Sequence, residues 1–430
     1  MFRSSRLACA AVLLLAQPVS ADDWPHWRGP AQDGRSRETG GFDKPFTLEL
    51  DWKASLGSGY SGIVVSGGRA VTMFSDGESD QLAAFDVNTG KEAWRHRIDS
   101  TYKGRNGADD GPSSSPVIDG GTVYALGPQG KLAAVALEDG RAIWLVDLIQ
   151  RFHSLPPDYG FATSPLVVGD LLIVQVGGRV GRAVAAFDKK TGETRWHKLN
   201  HRLEYQSPLP VTLLGRRQLL VVDMATITGI VPETGELLWT YQHRGTGSGG
   251  PILTALGGDR FLIKFASGSA AFVLKRARDG YEVARLYRNE EFSDSYFAPI
   301  LHEGHLYGFT STFLTCMNAE TGQRVWRSRA PGGRGLVLVD GHLVISADEG
   351  RVVVAEATPA GFVEKAGAPA LARSGYTWPS FSGGRVFVRN LEEIAALSIA
   401  AAPAEATPRA ADPPLPTPGP APAAGRGARP

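Results

Sequence analysis

The side chains best equipped to hold a ligand or a partner are gathered in short segments of this 430-residue chain. These read TYKGRNGADDGPSSS (101–115), QRFHSLPPDYGFATS (150–164), NHRLEYQS (200–207), YQHRGTGSGG (241–250), NEEFSDSYFA (289–298) and RSGYTWPS (373–380). The candidates they supply are Arg105, Asp109 and Asp110; His153 and Tyr159; His201, Arg202, Glu204 and Tyr205; His243 and Arg244; Glu290, Glu291, Asp294 and Tyr296; and Tyr376 with Trp378. Rings that stack, guanidinium groups and carboxylates that pair, and imidazoles that titrate near neutrality suit recognition of a small ligand or of a protein. The same segments also read as a solvated loop surface, and both readings stay open.

None of these sets carries the spacing of a known reaction centre. HEGH (302–305) holds metal-like residues, but in a hairpin turn with no third ligand nearby in sequence. GTGSGG (245–250) leads into a strand, whereas a phosphate-cradling loop opens a helix. ADDGPSSS offers two carboxylates without the spacing of a helix-loop-helix calcium site. No catalytic residue and no metal ligand is therefore assigned.

The elements that must position these segments repeat. TGKEAW ending at Trp94 returns as DGRAIW at Trp144, TGETRW at Trp196, TGELLW at Trp239 and TGQRVW at Trp326. Trp94, Trp144, Trp196 and Trp239 succeed one another at intervals of about 43 to 52 residues, the length of one four-stranded propeller blade. Ser114 to Trp144 shows the unit in full, with runs SPVID, TVYALG, KLAAVALE and RAIWLV joined by turns at DGG, PQG and EDG. Innermost strands begin near Tyr60, Ser114, Thr163, Gln206, Gly249, Phe297, Gly335 and Trp378, which predicts an all-β, eight-bladed propeller of four-stranded antiparallel blades. The last unit has only three strands, while LELDWKASLG near the N-terminus has a strand with no blade before it, so residues 48–54 are expected to complete the last blade and place Trp52 in the tryptophan series. Trp52, Trp94, Trp144, Trp196, Trp239 and Trp326 are then structural, docking one blade on the next. Two units lack the device: RDGYEVARLY has Ala284 at the tryptophan spacing, and TPAGFVEKAG has no tryptophan, so these blades are expected to pack less tightly. In this connectivity every outer-to-inner crossing ends beside the axis, so the candidate segments should surround one mouth of the channel. Small residues before proline at Ser115, Ser164, Ser207, Gly250 and Ala298 fit crowding there.

Composition narrows the partners. A formal net charge of +1 and a charged fraction of 21% give no reason to expect nucleic acid. MFRSSR, LACAAVLLLA and PVSA read as a secretory signal peptide over 1–21, with Cys9 inside its apolar run and no lipobox. The expected product is periplasmic or secreted, monomeric, and without a transmembrane segment. Residues 22–47 form a lead-in, 48–402 the propeller, and the Pro/Ala-rich stretch 403–430 a disordered tail. Cys316, the remaining cysteine, is expected to be a small buried side chain.

The unit SPVIDGGTVYALGPQGKLAAVALEDGRAIW resembles the repeat of the pyrroloquinoline quinone (PQQ) type β-propellers, and the resemblance covers about Trp24 to Ala400. DWPHWRGPAQDGRS (23–36) resembles the lead-in WPxxRGPxxDGxS of an exported bacterial PQQ-like family of largely unassigned function. It is expected to act as a plug or strap that packs Trp24 and Trp27 on the closing blade with Arg28 paired locally, or else to bind a ligand. The resemblance implies two function classes. Quinoprotein alcohol or sugar dehydrogenases hold PQQ and Ca²⁺ over the axis with an aspartate as general base; non-catalytic propellers, such as the lipoprotein of outer-membrane assembly, bind proteins. The chain lacks the vicinal cysteine pair and the CxxCH haem site of the first group, and the lipidated cysteine of the second. The expectation is a binding or protein-interaction module without a cofactor; the alternative is a PQQ-dependent dehydrogenase with Ca²⁺.

Overall fold

The computed structural model describes residues 23–178, 180–201, 205–223, 225–243 and 251–402. The expected signal peptide and tail, and candidates Arg202, Glu204 and Arg244, lie outside the described residues. Short runs of alternating or wholly apolar residues punctuated by glycine turns form eight four-stranded antiparallel sheets arranged as a propeller. Blades 1 to 7 span residues 64–100, 117–147, 166–198, 209–242, 252–289, 300–328 and 335–369. Blade 8 takes its inner three strands from Ser380–Ser382, Arg385–Arg389 and Glu393–Ala401, and its outermost from Phe46–Ser55. One short helix, Leu148–Phe152, follows blade 2, capped by Asp147, which accepts from Gln150 N at 2.9 Å.

The repeated tryptophan has one geometry in blades 8, 1 and 2. Trp94 donates through Nε1 to Leu137 O at 2.8 Å in the next blade, and its ring lies where a Cβ on Gly140 would stand. Trp144 does the same with Lys189 O and Gly192, and Trp52 with Val87 O and Gly90. The glycine is needed twice over: Gly140 has φ +72°, and any side chain there would meet the indole. Opposite each tryptophan on its own blade stands a small residue, Ala84, Ala134, Ala186, Gly229, Cys316 and Ala396 in turn. That explains Cys316, whose buried thiol fills the gap beneath Trp326 and is pushed up to about 11 by burial.

Two departures are informative. Trp239 turns inward and donates to Gln218 Oε1 of its own blade at 2.7 Å. In blade 5 the position is filled by Tyr287, three residues beyond Ala284: its hydroxyl donates to Ala319 O at 3.0 Å and Gly322 sits against its ring. The sequence reading missed Tyr287 because the strand is longer there than the repeat allows.

Closure joins the chain ends. Phe46–Ser55 pairs antiparallel with Glu393–Ala401 from Phe46↔Ala401 to Ser55↔Glu393. Behind this ladder Arg389, 0% exposed, donates to the carbonyls of Gly57 and Gly59 at 3.0 Å, to Met73 O at 2.6 Å and to Thr72 Oγ1 at 3.0 Å. It thus ties blade 8 to the entry of blade 1. No carboxylate pairs with it among the described residues, and burial lowers its pKa to about 9. Replacing Arg389 by Met should cost roughly 3 kcal/mol or more, because several buried carbonyls lose their donor together. Urea denaturation measures this; a loss below about 1 kcal/mol would show that closure rests on the strand ladder alone.

Candidate interaction site at the blade crossings

Each crossing follows an outermost strand and ends at the start of the next blade's innermost one, so all crossings share the propeller face that carries the turns between second and third strands. Around the axis the innermost strands begin in register. Ser115 Oγ accepts from Gly62 N at 2.8 Å, Ser164 Oγ from Ser115 N at 3.0 Å, and Ser207 Oγ from Ser164 N at 2.9 Å. Ser115, Ser164 and Ser207, each before a proline, therefore serve as hydrogen-bonded spacers between blades 1 to 4, whereas Ala298 has no hydroxyl to do so and Gly250 lies outside the described residues.

Above these spacers the side chains of adjacent crossings touch. Arg334 lies over the Tyr376 ring at 4.7 Å, and Tyr376 meets Tyr60 edge-on at 6.2 Å. Tyr60 donates to Asp109 Oδ2 at 2.7 Å, Tyr102 to Asp158 O at 2.6 Å, and Tyr159 packs on Tyr205 at 5.6 Å. Tyr296 is 77% exposed, Tyr376 45% and Tyr159 39%. Tyr376 and Tyr159 thus present rings to solvent while their positions are fixed by neighbours. Burial, reinforced by the hydrogen bond to Asp109, pushes the Tyr60 hydroxyl up to about 12.

The other sequence candidates divide. Asp110 accepts from Lys103 Nζ at 2.7 Å and Gly104 N at 2.9 Å, which hold its carboxyl below the usual range and brace the loop. Arg105 and His153 are exposed on the loops, His153 in the left-handed region with φ 53°. His243 is turned into the wall, its Nε2 on Asp223 O at 2.8 Å and its ring on Phe265 at 5.2 Å. His201 is drawn to the same Asp223, and burial lowers the pKa of both imidazoles. Glu291 is engaged by Arg327 at 2.5 Å and Arg324 at 3.5 Å, both on the outermost strand of blade 6. Asp294 and Glu290 stay on the 289–298 crossing, Asp294 N bonded to Ala266 O at 3.0 Å. Sequence reasoning missed Tyr60, Tyr102 and Arg334; their signal was position, since each stands in a crossing, but Tyr60 and Arg334 lie outside the six polar segments and Tyr102 is overshadowed by the charged residues that follow it in 101–115.

Trp378 is half-buried and stacked on Trp27 at 4.6 Å, with Phe297 edge-on at 5.1 Å. Trp27 comes from the lead-in, which crosses the axis on the opposite face. Trp24 exchanges backbone bonds of 2.8 Å with Val65 of blade 1, Pro25 O accepts from Ile118 of blade 2, and Arg28 Nη1 donates to Leu253 O of blade 5 at 3.2 Å. Ser36 and Gly34 then bond Leu338 of blade 7, and Glu38 accepts from Gly383 and Gly384 of blade 8. A segment that touches blades 1, 5 and 7 of eight must span the channel. Trp24 bonds blade 1 through its backbone and shares an apolar cluster with Phe381 and Phe387 of the closing blade. One expectation is corrected: Arg28 reaches across to blade 5 with no local ion pair among the described residues. Its guanidinium sits 5.7 Å and 5.8 Å from the Trp27 and Trp378 rings, and burial lowers it to about 10. The lead-in therefore closes the axial well on the face opposite the crossings, with the indoles as its floor.

The sequence of contacts around this well can be set beside known proteins. The profile of the family described as "Outer membrane protein assembly factor BamB" matches residues 44–153, 111–308, 210–358 and 310–404. The chain belongs to this PQQ-like propeller family. It is 27% identical over 239 residues to the outer membrane protein assembly factor BamB of Burkholderia pseudomallei, covering 54% of each chain. It is 29% identical over 160 residues to the quinohemoprotein alcohol dehydrogenase ADH IIB of Pseudomonas putida, 35% of this chain and 22% of that one. The chain thus spans about half, or less, of the length of these relatives. The crystal structure of BamB from Moraxella catarrhalis superposes with a TM-score of 0.59 at 17% identity, covering 82% of this chain and all of that one, a likeness of fold.

Family membership raises the question of a quinone and its calcium. Ca²⁺ takes six to eight oxygen ligands. Among the described residues no group of three or more His, Cys, Asp or Glu is placed to hold an ion, and the axis is filled by the Trp27 and Trp378 pair. The described residues do not fit that centre, and no step is derived through it.

One buried acid was not foreseen. Asp80, 0% exposed in blade 1, accepts from Tyr102 N at 3.1 Å, while its other oxygen has no partner. Burial raises its pKa to about 7, helped by Asp99, Asp110 and Asp76 and opposed by the Tyr102 bond. The folded state then binds a proton that the unfolded chain has released, so this contribution is lost as pH rises from about 4 to about 7. Asp80→Asn should flatten the fall in melting temperature over that window and stabilise the protein at pH values above it. Parallel profiles for the two proteins would show that Asp80 ionises as freely folded as unfolded.

Proposed function

We propose that this chain is an exported protein-interaction module whose partner docks over the open end of the well. The observation that carries the reading is the braced band of exposed tyrosines, with Arg334 over Tyr376, at the convergence of the crossings. Tyrosine, tryptophan and arginine in pre-set positions are the residues through which protein interfaces draw most of their energy, since a ring already held by neighbours loses little freedom on binding. Leu155, 68% exposed and on the same crossing as Tyr159, adds an apolar contact. The relatives named as outer membrane protein assembly factors support a protein as partner, and the signal-like N-terminal sequence supports a periplasmic or secreted setting. No helix among the described residues is long and apolar enough to cross a membrane. The dehydrogenase reading rests on a relative matched over 35% of the chain, and the donor set around the axis gives it no further support.

A photo-crosslinking amino acid placed at Tyr159 or Tyr376 should yield a discrete adduct in cells that express the protein, and the same group at Lys91 or Glu138, in turns on the other face, should not. Combining Tyr60→Ala with Tyr376→Ala should then weaken the purified partner by about tenfold or more without shifting the melting temperature by more than a few degrees. Adducts formed only from Lys91 and Glu138 would move the interface to the opposite face.

A further inference from the structure

Blade 5 breaks the repeat at its third turn. In blade 2 the corresponding strands, Lys131–Ala136 and Ala142–Asp147, have 6 residues each, and the turn between them folds back onto Trp94. In blade 5 the strands are Gly268–Ala277 and Gly280–Asn289, 10 residues each, with Arg278 and Asp279 alone between them. The ladder runs without a break from Phe272↔Arg285 to Ala277↔Gly280. Leu274 is the last buried residue, and everything from Lys275 to Gly280 is exposed. Three residues at about 3.3 Å each carry the strand roughly 10 Å past Leu274, while Tyr281, opposite Arg276, packs back onto the apolar cluster at the hairpin's base. The hairpin stands out as a finger on the face opposite the crossings.

Its tip is cationic. Lys275, Arg276 and Arg278 are joined by Arg216 and Arg217 from the first turn of blade 4. Asp259 links the two elements: its Oδ1 accepts from Leu214 N at 2.5 Å and its backbone oxygen from Leu274 N at 2.9 Å. Leu213 and Leu274 share one apolar cluster. All five cations are exposed, and none forms an ion pair among the described residues, although Glu282 lies directly across the ladder from Lys275. Asp279 and Glu282 offset part of the charge, leaving the finger net positive.

We propose that this finger is a contact for anionic phospholipid head groups, holding the propeller against a membrane surface with the well facing the aqueous side. A narrow convex tip with fanned guanidinium groups suits a laterally adjustable layer of phosphates; an acidic protein segment would call for a groove, and the finger supplies none. The mutual repulsion of unpaired cations is relieved when they meet such a surface.

The test is co-sedimentation of the full chain with phosphatidylcholine vesicles containing about a third phosphatidylglycerol, beside pure phosphatidylcholine vesicles. Partition onto the anionic vesicles at about 0.1 M salt, absent from the neutral ones and lost at about 0.5 M, is expected. The triple variant Lys275→Gln, Arg276→Gln, Arg278→Gln should partition about a hundredfold less with an unchanged melting temperature, whereas Arg276→Lys with Arg278→Lys should keep the binding. No partition of the wild type, equal partition of the triple variant, or stronger retention by a DNA duplex than by the vesicles would overturn the proposal. Tyr60→Ala with Tyr376→Ala must leave vesicle binding unchanged; a loss there would put the membrane contact at the crossings. Because the readout is lipid alone, its failure leaves the protein-partner reading standing, and the reverse holds as well.

Discussion

The pairing of Phe46–Ser55 with Glu393–Ala401 turns seven and three-quarter blades into a ring, and every other feature assumes that the ring is closed. An open propeller would leave the edge of Glu393–Ala401 unpaired, and Trp52 would have no place against Gly90 of blade 1. The ladder alone does not fix the angle between the last blade and the first. Arg389 does, by spreading one guanidinium over carbonyls of Gly57 and Gly59, in the segment that enters blade 1, and of Met73 in that blade's second strand. A cation with no counter-ion is costly to bury, so it holds its place only while all those carbonyls converge on it. The same segment carries Tyr60. Closure and the first ring of the candidate interface are therefore one structural problem.

A second constraint acts along the axis. Eight blades leave a channel too wide for inner-strand side chains to fill, and here the lead-in fills it from one side. Its path from Val65 to Leu253 to Leu338 gives three well-separated blades a common tether, and Trp27 reaches far enough to stack on Trp378. The channel loses one opening by this. On the opposite face the rim is made by the crossings, where Tyr60, Tyr159, Tyr205 and Tyr376 are already ordered by their neighbours.

Much of this was legible in sequence because it follows from periodicity. The turn-and-tryptophan repeat gave the blade count and starts, and the orphan strand at LELDWKASLG gave the closure, because a missing fourth strand has to come from somewhere. What escaped were interactions between residues distant in the chain with no pattern of their own. Arg389 lies in RVFVRN, where a strand arginine looks exposed. Tyr287 was hidden by an irregular spacing, and Trp239 fits the repeat yet donates within its own blade. Among the candidates, Tyr159, Tyr205 and Tyr376 were visible from their place in the crossings. His243 and Glu291 sit in the same segments but are committed to walls and ion pairs, a distinction that composition does not carry.

The finger on blade 5 shows a related limit. A net charge of +1 argues against a phosphate-binding surface only if charge is spread evenly, and folding need not spread it. Paired cations such as Lys189 with Asp119 and Arg385 with Asp51 add little external field, so the field at each face is set by the charges left over. On blades 4 and 5 those are Arg216, Arg217, Lys275, Arg276 and Arg278, set against Asp279 and Glu282 in the hairpin and Glu233 and Glu236 in the third turn of blade 4, and the cations are brought together by one aspartate that spends its side chain on a backbone N–H. At the crossings exposed rings stand beside leftover charges such as Arg105. The two faces of one repeat thus acquire different chemistry from local departures, a lengthened hairpin on one side and lengthened crossings on the other, while the blades between them stay alike.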